Sequence, residues 1–141
     1  MIKIGVLGAG HLGKIHLKLL KEIEAFELVG FYDIDPAVRQ KVASDLEVTA
    51  FDQLEALFEA VEVVDIVTPT LSHFECAKLA LEAGKHIFIE KPLTDTLDEA
   101  VELRKVLKTH PGLRAQVGHV ERFNPAFLSV AGMDLRPMFI E

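Results

Sequence analysis

The stretch Ile2-Lys3-Ile4-Gly5-Val6-Leu7-Gly8-Ala9-Gly10-His11-Leu12-Gly13 decides how this chain folds. Ile2–Leu7 is apolar and rich in β-branched residues, with Lys3 the only charge, and predicts a strand. Residues 11–23 carry Leu12, Ile15, Leu19, Leu20 and Ile23 at helical spacing. A Gly-x-Gly-x-x-Gly pattern joins the two. Such a pattern is weak by itself, but a strand before it and a helix after it are the context that a dinucleotide-binding loop requires. Each glycine then has a separate task. Gly8 allows the tight turn, Gly10 lets the backbone approach a pyrophosphate, and Gly13 lets the helix pack closely on the strand. The peptide N–H groups opening the helix, His11 and Leu12 among them, face the anion with the helix dipole behind them.

Asp33 lies 20 residues beyond Gly13, at the end of a second predicted strand over residues 28–32. A carboxylate there binds the two hydroxyls of an adenosine ribose. Ile34 rather than an arginine follows it, so a 2′-phosphate would meet a negative charge with no adjacent cation. NAD is therefore favoured as cofactor over NADP, and Arg39 is the nearby cation that keeps NADP as second choice.

Further strands are predicted at residues 47–50, 63–67, His86–Ile89 and 114–117, the run at 63–67 being almost continuously apolar. Between them fall helices opened by Asp35-Pro36, by Asp52 (through Phe58), by Ser72 (to near Gly84) and by Thr96 or Asp95 (through Lys108). Six strands alternating with five helices predict an α/β fold, a doubly wound parallel Rossmann sheet. The pattern changes after Gly118. Residues 123–130 predict another helix, with Asn124 as cap and Pro125 in its first position, and residues 136–141 begin an extended run.

Composition bounds the function. A chain of 141 residues and 15.6 kDa is one domain's worth of sequence. Folding at this mass leaves roughly 7,200 Å² exposed of about 22,600 Å² in the extended chain, enough burial for a core without staples. Half the residues are hydrophobic, which excludes wholesale disorder. Cys76 is the only cysteine, which excludes a disulfide framework and favours a reducing cytoplasm. A net charge of −7 without a Lys/Arg-rich run argues against a nucleic-acid or membrane-surface partner. The N-terminus lacks a signal peptide's long apolar stretch, and no segment approaches the length of a membrane-spanning helix. The histidines show no metal-ligand spacing, so no metal is expected.

Glu90-Lys91-Pro92 follows the strand His86–Ile89, beyond whose carboxyl end ligands bind in such sheets. A lysine there can donate to a substrate hydroxyl or carbonyl and stabilise oxyanion charge. Taken alone, Lys91 reads better as a solvated lysine at a strand end. The constellation changes the balance: Gly8 to Gly13 with His16 shortly after, Thr68-Pro69-Thr70 followed by His73, Ala83-Gly84-Lys85-His86, Glu90-Lys91-Pro92, and Arg122-Phe123-Asn124-Pro125. With these motifs the chain resembles, over essentially all its length, the N-terminal domain of the Gfo/Idh/MocA oxidoreductases.

The resemblance implies that Lys91 lies between substrate and nicotinamide and is the catalytic residue. It implies that Glu90 sits near the nicotinamide ribose and that Thr68, Pro69 and Thr70 line the cofactor with His73 nearby. Arg122 is placed on the nicotinamide side, and the Lys91–Pro92 peptide is expected to be cis. Residues 1–122 would form the dinucleotide-binding domain and residues 123–141 the truncated start of a second, mainly β substrate domain. The reaction implied is hydride transfer between nicotinamide and a hydroxyl of a sugar, nucleotide-linked sugar or cyclitol, in a parent that is a homo-oligomer. The segment Gly118 to Pro125 looks most like members acting on nucleotide-linked amino sugars. This chain alone would bind cofactor without full activity. A regulatory NAD-sensing module and a cofactor-free assembly module are the alternatives; Glu90-Lys91-Pro92 favours the enzyme, because neither alternative needs that lysine.

Overall fold

A computed structural model describes residues 1–134. The expected strand at 136–141 lies outside the described residues. Five strands run in one direction: β1 (Ile2–Leu7), β2 (Phe26–Tyr32), β3 (Val63–Ile66), β4 (His86–Ile89) and β5 (Ala115–Val117). Their spatial order is β2-β1-β3-β4-β5, all parallel. The order reverses between β1 and β3, and the carboxyl ends flanking such a switch point form a crevice. Six α-helices connect and follow the strands: α1 (His11–Glu22), α2 (Pro36–Leu46), α3 (Leu54–Ala60), α4 (His73–Glu82), α5 (Leu97–Thr109) and α6 (Pro125–Val130). No helix among the described residues is long and apolar enough to cross a membrane.

Strand alternation distributes the core. Leu7, Val64, Ile66, Ile87 and Ile89 point to one face, against Leu57 and Phe58 of α3, Ala77, Ala80 and Leu81 of α4, and Leu103 of α5. Ile4, Val6 and Phe31 point to the other, against Leu17 and Leu20 of α1 and Val42 of α2. On this second face α1 covers only part of the sheet. Beside it a groove of ≈ 840 Å³ runs over β3, β4 and β5, lined by Val63, Phe88 and Gln116 among others.

Side-chain caps fix the starts of three helices. The Asp35 carboxylate accepts from the Ala37 N–H at 2.8 Å, with Pro36 in the first turn of α2. Thr96 and Glu99 form a reciprocal capping box on α5. Asn124 caps α6 through the Ala126 N–H at 2.9 Å. Ser72 closes a 3-10 turn, Thr70–Ser72, and makes no capping bond. Asp52 falls outside α3, whose cap position is Gln53.

Among the described residues the sheet has five strands rather than six. Glu47 ends α2 in the left-handed conformation (φ 51°), leaving few residues before Asp52 to extend beside β2. What remains of the predicted strand at 47–50 is a single bridge, Phe31 to Ala50, held by Phe31 N–H to Thr49 O at 2.9 Å and Phe51 N–H to Phe31 O at 2.8 Å.

Gly8 turns the chain with φ 90° at the end of β1. A Cβ on Gly13 would overlap the Gly8 carbonyl oxygen, whereas a Cβ on Gly10 would meet nothing within 4 Å. The two positions therefore separate in a stability measurement. Gly13→Ala is expected to cost about 2–3 kcal/mol in urea unfolding by forcing α1 off β1. Gly10→Ala is expected to cost less than about 1 kcal/mol, the difference between glycine and alanine at a helix cap. Equal losses would contradict this packing.

Candidate functional site

A cleft of ≈ 680 Å³ opens at the carboxyl ends of β1, β3 and β4. The loop after β1 supplies Gly8, Gly10, His11 and Leu12 to its wall, and the end of β2 supplies Tyr32, Asp33 and Ile34. The loop after β3 brings Thr68, Pro69 and Thr70, α4 brings His73, and the end of β4 brings Glu90 and Lys91. Residues from four separate segments thus converge there. Two expected residues do not. Gly13 lies beneath the loop, against Gly8. Arg122 sits on an exposed 3-10 turn, Val120–Phe123, that leaves the sheet after β5, and it does not line the cleft.

The loop suits an anion. Gly10 occupies the cap position of α1 without a capping side chain, no acidic residue stands in the first turn, and the space over Gly10 is open. The first-turn N–H groups therefore keep their capacity to donate. Asp33 closes the far side. Its Oδ2 accepts from the Ala9 N–H at 2.7 Å and its Oδ1 from the Asp35 N–H at 2.9 Å. These bonds fix the carboxylate, and each oxygen can accept again. Arg39 packs over the Tyr32 ring at 5.6 Å and donates to the Asp33 carbonyl oxygen at 2.7 Å.

His73 is fully buried, and its ring joins two loops. Nδ1 lies 2.8 Å from the Pro92 carbonyl oxygen and Nε2 2.9 Å from that of Thr68. It braces the cleft wall with both nitrogens engaged. The Lys91–Pro92 peptide is cis, as the resemblance implies. Among the described residues the Lys91 ammonium makes no hydrogen bond or ion pair, and the side chain is exposed at the cleft. Cys76 also lines the cleft, and burial pushes its thiol up, away from the reactive thiolate.

One pairing is not contained in the sequence motifs. His16 of α1 lies 2.8 Å from Asp65 of β3 and 3.5 Å from Glu90. The signal was present. Asp65 is the single charge inside an apolar strand, and a charge there must find a partner. Strand alternation turns it toward α1, opposite Val64 and Ile66, where His16 meets it. The hydrogen bond to Asp65 raises the His16 pKa above that of a free imidazole, offset in part by burial. Burial pushes Asp65 up as well, offset in part by His16.

Residues 2–119 match the family described as "Oxidoreductase family, NAD-binding Rossmann fold". The chain is 37% identical to the UDP-N-acetylglucosamine 3-dehydrogenase of Acidithiobacillus ferrooxidans over 99% of its own length and 44% of that enzyme's. It is 36% identical to the scyllo-inositol 2-dehydrogenase (NAD(+)) of Bacillus subtilis, over 89% and 38% of the two chains. It therefore spans less than half the length of these relatives. Among solved structures, the Acidithiobacillus enzyme superposes with a TM-score of 0.84 over 93% of this chain and 43% of that one. The scyllo-inositol dehydrogenase of Lactobacillus casei, with bound NAD(H) and scyllo-inositol, also gives 0.84, at 30% identity over 92% and 39%.

The His16–Asp65 pair gives stability a definite pH dependence. Both groups hold their proton more tightly in the folded chain than in the unfolded one. The Asp65 contribution is complete only below the free carboxylate value of about 3.9 and is lost through its own raised pKa, whereas that of His16 is complete below about pH 6.5, the free imidazole value, and is lost as pH rises through the folded His16 pKa. The melting temperature is expected to fall across that alkaline window. Asp65→Asn, which removes the buried carboxylate, should flatten the slope; a slope unchanged in that variant would refute the assignment.

Proposed function

The chain belongs to the Gfo/Idh/MocA oxidoreductase family with its NAD-binding Rossmann fold, and from that premise we propose that it is the cofactor half of an NAD-dependent dehydrogenase. The substrate class is a sugar, a nucleotide-linked sugar or a cyclitol. The observation that carries this reading is the cleft at the switch point, lined together by the open loop at Gly10, the fixed Asp33 carboxylate and Lys91.

Each residue has a task. Gly10 and the N–H groups of His11 and Leu12 receive the pyrophosphate, which a Cβ at Gly10 would displace. Asp33 accepts from the ribose hydroxyls and repels a 2′-phosphate, and Arg39 is already held on the backbone beside it, which favours NAD over NADP. Thr68, Pro69 and Thr70 close the wall that His73 braces. When bound, the nicotinamide supplies a carbon that accepts the hydride from a substrate carbinol. Lys91 orients and polarises the carbinol oxygen, so that C–H and acceptor meet in line. The hydroxyl proton leaves to an acid/base in the part of the family's length that this chain does not span. Residues 1–122 form the cofactor domain in this reading, and residues 123–141 open the substrate domain. The names of the relatives support the substrate class, since they act on UDP-N-acetylglucosamine and scyllo-inositol.

Titration of the 141-residue chain with NADH, followed by cofactor fluorescence, is expected to give saturable binding at least about tenfold tighter than NADPH. Gly10→Leu should abolish binding while the melting temperature stays near that of the parent. Asp33→Ala should weaken NADH and narrow the gap to NADPH. No binding at millimolar cofactor by a folded chain would sink the proposal. Rapid NADH production from scyllo-inositol or UDP-N-acetylglucosamine by these residues alone would overturn the division of labour between the two domains.

A further inference from the structure

At and behind the cleft wall lie three titratable side chains, Glu90, His16 and Asp65, to which the proposed function gives no task. The His16 ring stands between two carboxylates from neighbouring strands. Its Nδ1 is 2.8 Å from Asp65 Oδ2, a hydrogen bond, and its Nε2 is 3.5 Å from Glu90 Oε1, an ion pair. Asp65 and Glu90 are only 2% and 8% exposed. A neutral imidazole has one N–H and one lone pair, so it satisfies one carboxylate and turns a lone pair toward the other. The protonated ring faces both with N–H groups and places one positive charge between two negative ones. Hydrogen bonding to Asp65 and the field of Glu90 both favour that form.

Glu90 carries this arrangement into the cleft. Its Oε2 accepts from the Lys91 peptide N–H at 3.2 Å. On its other side a Cβ at Gly118 would come within 2.7 Å of Oε1, so the end of β5 also confines the carboxylate. Glu90 and Lys91 line the cleft, whereas His16 and Asp65 lie on the groove behind it. The chain His16–Glu90–Lys91 thus connects a buried charge to the strand end that bears the proposed catalytic lysine.

We propose that protonated His16 is a positioning residue for this strand end: it holds the Glu90 carboxylate against the Lys91 peptide and makes the cofactor cleft sensitive to pH from the alkaline side. The part concerning cofactor rests on the function proposed above. Loss of the ring proton leaves Nε2 facing Glu90 Oε1 as an acceptor, and Glu90 and Asp65 then repel each other without a cation between them. Glu90 is released from its place, and the Lys91 peptide loses its acceptor.

The other charged groups facing the groove are Glu62, His86 and Arg114, and Phe88 lies against His16 with ring centroids 6.2 Å apart. Glu62 accepts from the Lys3 N–H at 2.9 Å, and His86 Nδ1 accepts from the Arg114 N–H at 2.9 Å. His86 is therefore the second imidazole on the groove, which the experiment must distinguish from His16.

The test follows ring and amide resonances of the isotopically labelled chain by NMR from about pH 6 to about pH 9.5. The Lys91 amide is expected to shift with the same midpoint as the His16 ring, above the free imidazole value. That transition should vanish in His16→Gln and persist in His86→Asn. In Glu90→Gln, which keeps the His16–Asp65 pair and covers the case where His16→Gln does not fold, the His16 midpoint should drop. NADH affinity should weaken about fivefold across the same midpoint and lose that dependence in His16→Gln. A Lys91 amide that ignores the His16 transition, or one that still titrates in His16→Gln, would overturn the proposal. NADH failing to bind at any pH would instead overturn the cofactor reading, while the Lys91 amide still decides the role of His16.

Discussion

The approach of Gly13 to the Gly8 carbonyl oxygen sets the distance between α1 and β1, and much of the molecule is placed by that contact. A helix this close to the strand end puts its first turn over the crevice, with His11 and Leu12 on the rim. It drives Leu17 and Leu20 into the core on the α1 side. It also delivers His16, one turn below the loop, to Asp65 on the next strand. Loop, core and buried charge follow from the absence of one Cβ. A side chain at Gly13 would not perturb these features one by one; it would move the helix that carries all of them.

The alternation of strands and helices was legible because buried strands and amphipathic helices write different periods into the chain. The loop was legible because glycines at fixed offsets have few other uses. The sixth strand was misread because composition at 47–50 suits a strand, whereas the ending of α2 at Glu47 limits its pairing to one bridge. At the site, the convergence of Gly10, Asp33, Thr68 and Lys91 follows from topology, which the order of elements already implied. Arg122 stands apart from this cleft because its position depends on how the chain leaves β5, and no local pattern encodes that. His16 and Asp65 were read apart, as a member of the motif that follows the glycines and as part of an apolar strand. Their meeting is a long-range pairing that periodicity alone does not contain.

The cleft combines two kinds of stiffness. Its anion side is backbone, with peptide N–H groups fixed by a turn and a helix. Its opposite wall is tied by side chains, where His73 spans the Thr68 and Pro92 carbonyls and Glu90 is held between His16 and the Lys91 peptide. A ligand reaching across both meets a wall that needs little reorganisation, which lowers the entropic cost of binding.

The pairing of β1 has a consequence for how the chain is made. β1 precedes the other four described strands in the chain and sits inside the sheet, with Ile4 beside both Leu28 and Val63. One of its edges therefore stays unpaired until some sixty residues have emerged, and closing so long a loop is slow compared with forming a helix. During that interval Ile4, Val6 and Leu7 form an apolar strand with an open edge, the feature that invites intermolecular pairing. Lys3 is the only charge along it, so on the nascent chain this one residue is the built-in obstacle to association before β3 arrives.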